Sequence, residues 1–215
     1  MLTYFKSFLE GYNRNAPHHW QPNCTDWYVP TLMYPLLHLN GFRNILEIGQ
    51  AEGYSSYYLA TAAKENKGTF LAIDICDTYN RPHEPYGYSL KRFFEGEELP
   101  ARFIQADTKQ MESIPSYADG GLDIIDFAFI DGEHTTEAVL HEVENLILPK
   151  MRKDGMGYIC FDDVFDMGAE GAWAVFCSQP ERFECLTIFP NGGFGIMRVK
   201  KVEPKGDVAD GRGID

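Results

Sequence analysis

Aspartate residues stand at the ends of the apolar segments that the sequence predicts to be parallel strands. Asp74, Asp107 and Asp131 each lie at or just after the end of such a segment, and Asp162 and Asp163 follow another one. In an open parallel sheet, ligands bind beyond the carboxyl ends of the strands. Carboxylates gathered at this edge cost free energy unless cations or hydrogen-bond donors compensate them. The pattern therefore predicts a site for positively charged ligands.

Three of these carboxylates are predicted metal ligands. Asp131 follows one strand and the pair Asp162–Asp163 follows the strand expected beside it, roughly 5 Å away by strand spacing. Three convergent carboxylates suit a hard cation, best Mg²⁺, with Ca²⁺ or Mn²⁺ as alternatives. His134 stands three residues after Asp131. Since histidine titrates near neutral pH, His134 is a candidate general base, with Asp131 as its rival and a plain helix-start role as the alternative.

A glycine-containing stretch, NILEIGQAEGYSSYYLA at Asn44–Ala60, predicts a strand, a turn and the start of a helix. Gly49 and Gly53 follow the strand, where glycine is expected if ligand and backbone approach too closely for a Cβ. Backbone N–H groups at such a helix start bind an anion or a polar ligand edge. Asp74, 74 − 49 = 25 residues after Gly49, is placed to accept hydrogen bonds from a ribose diol. The pattern fits a dinucleotide or S-adenosylmethionine (SAM), but the middle glycine of the dinucleotide fingerprint is missing.

This stretch resembles the first motif of class I SAM-dependent methyltransferases, E-x-G-x-x-x-G. Its Gly-Tyr-Ser ending is similar to that of small-molecule O-methyltransferases such as catechol O-methyltransferase. The run FIDGEHTTE at 129–137 looks like a further family of SAM methyltransferases. Metal-dependent catechol and sugar O-methyltransferases carry an aspartate after strand 4 and an Asp-Asp or Asp-Asn pair after strand 5, which Asp131 and Asp162–Asp163 match. The catechol enzyme has a lysine where this chain has His134.

The resemblance implies SAM and a divalent cation, Mg²⁺ by preference, as cofactors. Gly49, Gly53 and Ser55 would hold the methionine end of SAM, Asp74 the ribose, and Asp107 with Thr108 would lie near the adenine. Glu47 stands inside an apolar strand, which is costly without a partner, and its position lies near the cofactor in the resembling families. The implied cofactor-binding set is Glu47, Gly49, Gly53, Tyr54, Ser55, Asp74, Asp107 and Thr108.

The order of predicted elements favours an α/β fold, with a doubly wound, mostly parallel seven-stranded sheet and a C-terminal antiparallel hairpin. The predicted helices are Val29–Leu39, interrupted near Pro35, then Ser55–Lys64, Tyr88–Phe94, Thr135–Leu148 and Gly168–Ser178. The predicted strands are Ile45–Ile48, Thr69–Ile73, Arg102–Gln105, Asp126–Ile130, Gly157–Phe161, Phe183–Phe189 and Phe194–Val199. Asn191-Gly192 is a hairpin signal between the last two strands.

The chain divides into an N-terminal cap segment at 1–40, a methyltransferase domain at 41–200 and a disordered tail at 201–215. The cap is rich in aromatic residues, includes a short helix at Leu2–Tyr12, and either helps to hold substrate or only covers the outer helices. Trp20 and Trp27 are candidates for a substrate-pocket wall, whereas Trp173 is expected to pack in the core. Substrate choice would depend on the cap and on Cys76–Pro100, which is too long for a simple connection.

Composition excludes several classes of function. With 19 Lys plus Arg against 32 Asp plus Glu, the formal charge is −13, which disfavours binding to nucleic acid or anionic membrane. The five cysteines form no C-x-x-C pair, so a reducing compartment is expected. No signal peptide or spanning segment is recognised, and we expect a cytoplasmic protein, possibly a homo-oligomer.

The resulting hypothesis is a SAM-dependent methyltransferase that methylates a small-molecule hydroxyl with the assistance of a divalent cation. Two alternatives remain open. One is a non-catalytic SAM-binding or regulatory module, and the other is a metal-dependent enzyme of another reaction type, resembling a cephalosporin hydroxylase. A dinucleotide-dependent oxidoreductase is a more distant third.

Overall fold

A computed structural model describes residues 28–51, 53–76, 90–165, 168–188 and 192–201. The predicted helix Leu2–Tyr12, the indoles of Trp20 and Trp27, the turn residue Asn191 and nearly all of the predicted tail lie outside these residues. No helix in the described ranges is long and apolar enough to span a membrane.

Strands and helices alternate along most of the chain. The strands are β1 (Asn44–Ile48), β2 (Thr69–Asp74), β3 (Ala101–Gln105), β4 (Phe127–Ile130), β5 (Gly157–Phe161), β6 (Phe183–Ile188) and β7 (Phe194–Val199). The helices are α1 (Tyr28–Asn40), α2 (Tyr54–Glu65), α3 (Leu90–Gly96), α4 (Thr136–His141) and α5 (Ala169–Cys177). A π-helix at Glu142–Ile147 continues α4, and a single 3₁₀ turn at Thr108–Gln110 follows β3.

The seven strands form one mixed sheet in the order β3-β2-β1-β4-β5-β7-β6. Strands β1 to β5 are parallel, whereas β7 runs antiparallel to both β5 and β6. The predicted fold class is therefore confirmed. Strand order reverses between β1 and β4, so the ligand-binding crevice of such a sheet is expected beyond Ile48 and Ile130.

Both faces of the sheet are buried, because alternate strand residues pack against helices on opposite sides. Leu46 and Ile130 belong to the core that includes the buried residues of α4, the π-helix and α5. Ile45 and Phe129 belong to the core that includes those of α1, α2 and α3. The strand ends are thereby held in a fixed arrangement from which the acidic side chains project.

Helix α1 differs from its prediction because it continues through Pro35 instead of breaking there. Proline removes one intrahelical hydrogen bond. Met33 and Leu37, on either side of it, are fully buried in the core, and this packing offsets the lost bond.

The predicted helix Thr135–Leu148 is present but not uniform. Thr135 caps it by accepting a hydrogen bond from the Ala138 N–H, and α4 then passes directly into the π-helix. Val143 accepts a hydrogen bond from the Leu148 N–H, five residues on. Such π-helical turns are often found at functional sites.

Candidate cofactor and active site

A cleft of about 320 Å³ opens at the carboxyl ends of β1, β2 and β4. Its volume lies at the lower end of the range of small-molecule sites, which begins at about 300 Å³. Its lining includes five of the predicted site residues: Gly49, Asp74, Asp107, Thr108 and Asp131. These five predicted site residues therefore surround one concave region.

Gly49 is required at this cleft by a contact within the protein. Its φ is +87°, and a Cβ there would lie 2.1 Å from the carbonyl oxygen of Asp131. A close approach is thus present between the turn after β1 and the end of β4, within the protein, and the approach of a ligand to Gly49 stays a prediction. Gly49 keeps these two chain segments in contact at the switch point.

Asp74 holds the glycine turn. Its Oδ2 accepts hydrogen bonds from the N–H groups of Gln50 at 2.7 Å and Ala51 at 2.9 Å, and its Oδ1 accepts one from Cys76 at 2.7 Å. Two N–H groups of the glycine turn are therefore already bonded to the carboxylate predicted to bind ribose. Each carboxylate oxygen can accept a further hydrogen bond, so ribose binding by Asp74 stays a prediction.

Glu47 lies beneath the cleft rather than in its lining. It is fully buried in β1, and the hydroxyls of Ser55 and Ser56 donate hydrogen bonds to its two carboxyl oxygens. Burial is the largest influence on this carboxyl and raises its pKa to about 8. Glu47 thus ties the start of α2 to β1, and the Ser55 hydroxyl is engaged in that contact.

Gly53 and Tyr54 also stand outside the described lining of the cleft. Gly53 has φ +81° at the N-cap of α2, and a Cβ there would lie 2.8 Å from Leu90 Cδ2. Tyr54 packs edge-to-face on Tyr58. These residues shape the turn and the helix start, and their contact with a cofactor stays a prediction.

The 3₁₀ turn after β3 forms another side of the cleft. Asp107 caps this turn, accepting hydrogen bonds from the Lys109 N–H and the Gln110 amide. His141 Nε2 lies 3.1 Å from the Thr108 carbonyl oxygen and 3.0 Å from that of Met111. Two acceptors around one ring nitrogen imply that Nε2 carries the proton.

Glu142 is a cleft residue that the sequence analysis missed. It is fully buried, lines the cleft, and its Oε1 accepts a hydrogen bond from the Thr108 hydroxyl at 2.6 Å. A signal was present, because Glu142 stands four residues after Ala138 and four before Leu146. On an ideal helix it therefore falls within the apolar face.

His134 lies beside two of the predicted carboxylates. Its Nε2 is 3.7 Å from Asp131 Oδ1, and its Nδ1 is 3.9 Å from Asp163 Oδ2. The imidazole is largely buried next to a small cavity that Trp173 also lines. Trp173 packs in the core against Phe161 and donates its indole N–H to Thr187 Oγ1. The fold thus brings the two candidate catalytic residues, Asp131 and His134, together at the edge of the cleft.

The predicted metal ligands do not form a ready site for a cation. Asp131, Asp162 and Asp163 offer the hard oxygen donors that Mg²⁺ prefers. Within the described residues, however, no group of three His, Cys, Asp or Glu side chains is arranged to hold a metal. Asp131 and Asp163 flank opposite sides of the His134 ring instead. As arranged, the residues do not fit the cation, and metal binding stays a prediction.

The sheet order and the strand-end cleft define the class I methyltransferase fold, and solved structures of that class have similar folds. A putative caffeoyl-CoA O-methyltransferase from Staphylococcus aureus has a TM-score of 0.60 at 16% identity, covering 90% of this chain and 98% of that one. The O-methyltransferase from Bacillus cereus in complex with S-adenosylhomocysteine (SAH) has a TM-score of 0.60 at 20% identity, covering 91% of each chain. The O-methyltransferase TomG from Streptomyces achromogenes, involved in tomaymycin synthesis and in complex with SAM, has a TM-score of 0.63 at 19% identity. The alignment covers 92% of this chain and 95% of that one.

The chain belongs to a family described as "Methyltransferase domain", whose model matches residues 46–164. The match runs from β1 to the residues just after β5 and so includes the glycine turn, the cleft and the His134 region. A comparison with curated proteins found no match. The family match and the similar solved structures together confirm the prediction that the chain is a class I methyltransferase.

Proposed function

We propose that this protein transfers a methyl group from SAM to a hydroxyl oxygen of a small molecule, with His134 as the general base. Family membership and the acidic cleft at the switch point support this proposal. The SAH and SAM complexes of the Bacillus and Streptomyces structures support the choice of methyl donor. The observation that carries the proposal is that Asp131 lines the cleft and also lies beside His134.

Bound SAM would supply a methyl group on a sulfonium, and the carbon–sulfur bond would break as the acceptor oxygen bonds to the methyl carbon. In this proposal Asp74 and Asp107 orient the nucleoside part, and the negative cleft favours the sulfonium cation. His134 Nε2, on the side of Asp131, accepts the proton that the acceptor hydroxyl loses. Asp163, near Nδ1 on the opposite side of the ring, stabilises the imidazolium that forms. Holding the reactants in line supplies much of the acceleration, about 7–11 kcal/mol in favourable cases.

The hypothesis drawn from the sequence also includes assistance by a divalent cation. The methyl transfer proposed here, with His134 as the base, does not depend on a cation. If Mg²⁺ is required, Asp131, Asp162 and Asp163 would be its ligands, and Asp131 and Asp163 would have to turn from His134 toward the ion. A cation would lower the pKa of the acceptor hydroxyl. A chelator therefore separates the two versions, because only the metal-dependent version loses activity after treatment.

The test is transfer of a labelled methyl group from SAM to a panel of phenols, catechols and sugar hydroxyls. His134→Ala is expected to lower the rate by about 10²-fold or more, the usual contribution of a general base. His38→Ala is the matched control, since His38 lies on α1 and pairs with Glu65. Binding of SAM with no transfer to any acceptor would favour the non-catalytic alternative. Equal rates for the two histidine variants would remove His134 from the mechanism.

A further inference from the structure

The carboxyl group of Glu142 is only half satisfied. It belongs to the first residue of the π-helix, and none of its surface is exposed. Oε1 accepts the Thr108 hydroxyl, but Oε2 has no hydrogen-bond partner in the described part of the chain. Leaving a buried acceptor unpaired costs free energy, which native structures usually avoid. The unpaired oxygen therefore points to a missing hydrogen-bond donor.

Glu142 is also positioned to meet a ligand. It lines the cleft together with Ala106, Asp107 and Thr108, on the side of the turn after β3. Gly132 stands next to it, and a Cβ on that glycine would lie 3.8 Å from Glu142 Oε1. Gly132 also lines the cleft, and its missing side chain leaves the Oε1 side of the carboxyl group uncovered by residue 132.

A purely structural role accounts for only one of the two oxygens. Holding the Thr108 turn requires Oε1 alone, and an apolar side chain would fill the same space without an unpaired oxygen. Burial raises the pKa of Glu142 to about 7. A donor on Oε2 would stabilise the ionised carboxylate and so offset this effect.

We propose that Glu142 Oε2 accepts a hydrogen bond from the exocyclic amino group of the cofactor's adenine. This inference rests on the proposed function. The amino group is the hydrogen-bond donor that the adenine base offers, and Asp107 and Thr108, on the same side of the cleft, are the residues expected near the base. Glu142 is then the residue that distinguishes adenine from a purine without the amino group.

The experiment compares the affinities of SAH and its 6-deamino analogue, in which hydrogen replaces the amino group, by isothermal titration calorimetry. The wild-type protein is expected to prefer SAH by about tenfold or more, since a buried acceptor rejects a ligand that lacks the donor. Glu142→Met keeps the volume but removes the acceptor. It is expected to lower the affinity for SAH by about the same factor and to leave that for the analogue unchanged.

Two further variants keep the test decisive. Glu133→Gln changes another cleft carboxylate, one that pairs with Lys109, and is expected to retain the wild-type preference. Glu142→Gln repeats the test if the methionine variant does not fold, since one amide oxygen cannot serve both Thr108 and the base. Equal losses for both ligands in the Glu142 variants, or equal wild-type affinities, would overturn the role of Glu142 and leave the proposed function intact. Binding of neither ligand by the wild-type protein would overturn both.

Discussion

The carboxyl group of Glu47 is buried between β1 and the start of α2. Two serine hydroxyls donate to it, yet burial has the larger effect and its pKa is raised to about 8 from an ordinary value of 4.5. The negative charge of Asp74 acts in the same direction. The folded protein therefore binds the Glu47 proton more tightly than the unfolded chain does.

This predicts a loss of stability as the pH rises. The contribution of Glu47 is complete below about pH 4.5 and is lost as the pH rises through about 8. Glu47→Gln removes this titration. As the pH rises, the free energy of unfolding of the variant should therefore increase relative to that of the wild type by up to ~1.4 kcal/mol per pH unit. Urea unfolding of both proteins without cofactor, between these two pH values, measures the difference. Parallel curves would show that the pKa of Glu47 is the same in the folded and the unfolded protein.

At the scale of elements, the contact between the turn after β1 and the end of β4 brings the cleft walls together. Gly49→Ala would combine a positive φ with a Cβ 2.1 Å from the Asp131 carbonyl oxygen. We expect a loss of about 3 kcal/mol or more in the free energy of unfolding, or failure to fold. Gly41→Ala is the control for the backbone alone, because Gly41 has φ +62° with no atom within 4 Å of its added Cβ.

The control variant should lose only about 1 kcal/mol, the cost of a left-handed conformation for alanine. The excess loss in Gly49→Ala then measures the clash with β4. If the two variants unfolded at the same urea concentration with the same slope, the turn and the end of β4 would be able to move apart.

The end of α4 and the turn after β3 are joined through His141. His141→Leu removes the donor shared by the Thr108 and Met111 carbonyl groups and should cost about 1–3 kcal/mol of stability. The affinity for SAH should fall as well, because the turn carries Asp107 and Thr108. Asn145→Ala, which removes a contact only to Nδ1 of His141, should cost less than about 1 kcal/mol. Chemical unfolding and calorimetry measure both effects, and unchanged SAH affinity in His141→Leu would separate this turn from the binding site.

The sheet and the positions of its acidic residues could be predicted because strand length, apolar runs and turn residues are local signals. Contacts that depend on which strands become neighbours could not be predicted, because no local signal encodes them. The approach of Gly49 to Asp131 follows from the pairing of β1 with β4, and the hydrogen bonds of Asp74 follow from the path of the turn. The π-helix escaped prediction because an apolar face with a period of 3.6 residues is typical of an α-helix and carries no signal for a local change to i→i+5 hydrogen bonds. The burial of Glu142 was overlooked although its spacing from Ala138 and Leu146 placed it on that apolar face.

At the scale of the whole molecule, the charge is strongly negative and part of it is concentrated in the cleft. The formal net charge is −13, and the cleft lining includes five acidic residues: Asp74, Asp107, Asp131, Glu133 and Glu142. A cleft lined by one sign of charge concentrates field lines and attracts ligands of the opposite charge. SAM carries a positive sulfonium, whereas the corresponding sulfur of SAH is neutral, so the field should distinguish the two.

Salt should therefore weaken the binding of SAM more than that of SAH. Between about 0.05 M and about 0.5 M NaCl, the Debye length falls to roughly a third, and we expect the Kd of SAM to rise about threefold more than that of SAH. Titration calorimetry of both ligands at the two salt concentrations measures this ratio, and SAH serves as the matched control because it differs by one methyl group and one charge. Equal salt dependence for both ligands would mean that the carboxylates of the cleft do not act on the sulfonium. The Asp74 carboxylate already accepts three backbone hydrogen bonds. The acidic edge would then serve the architecture of the turn rather than recognition of the sulfonium.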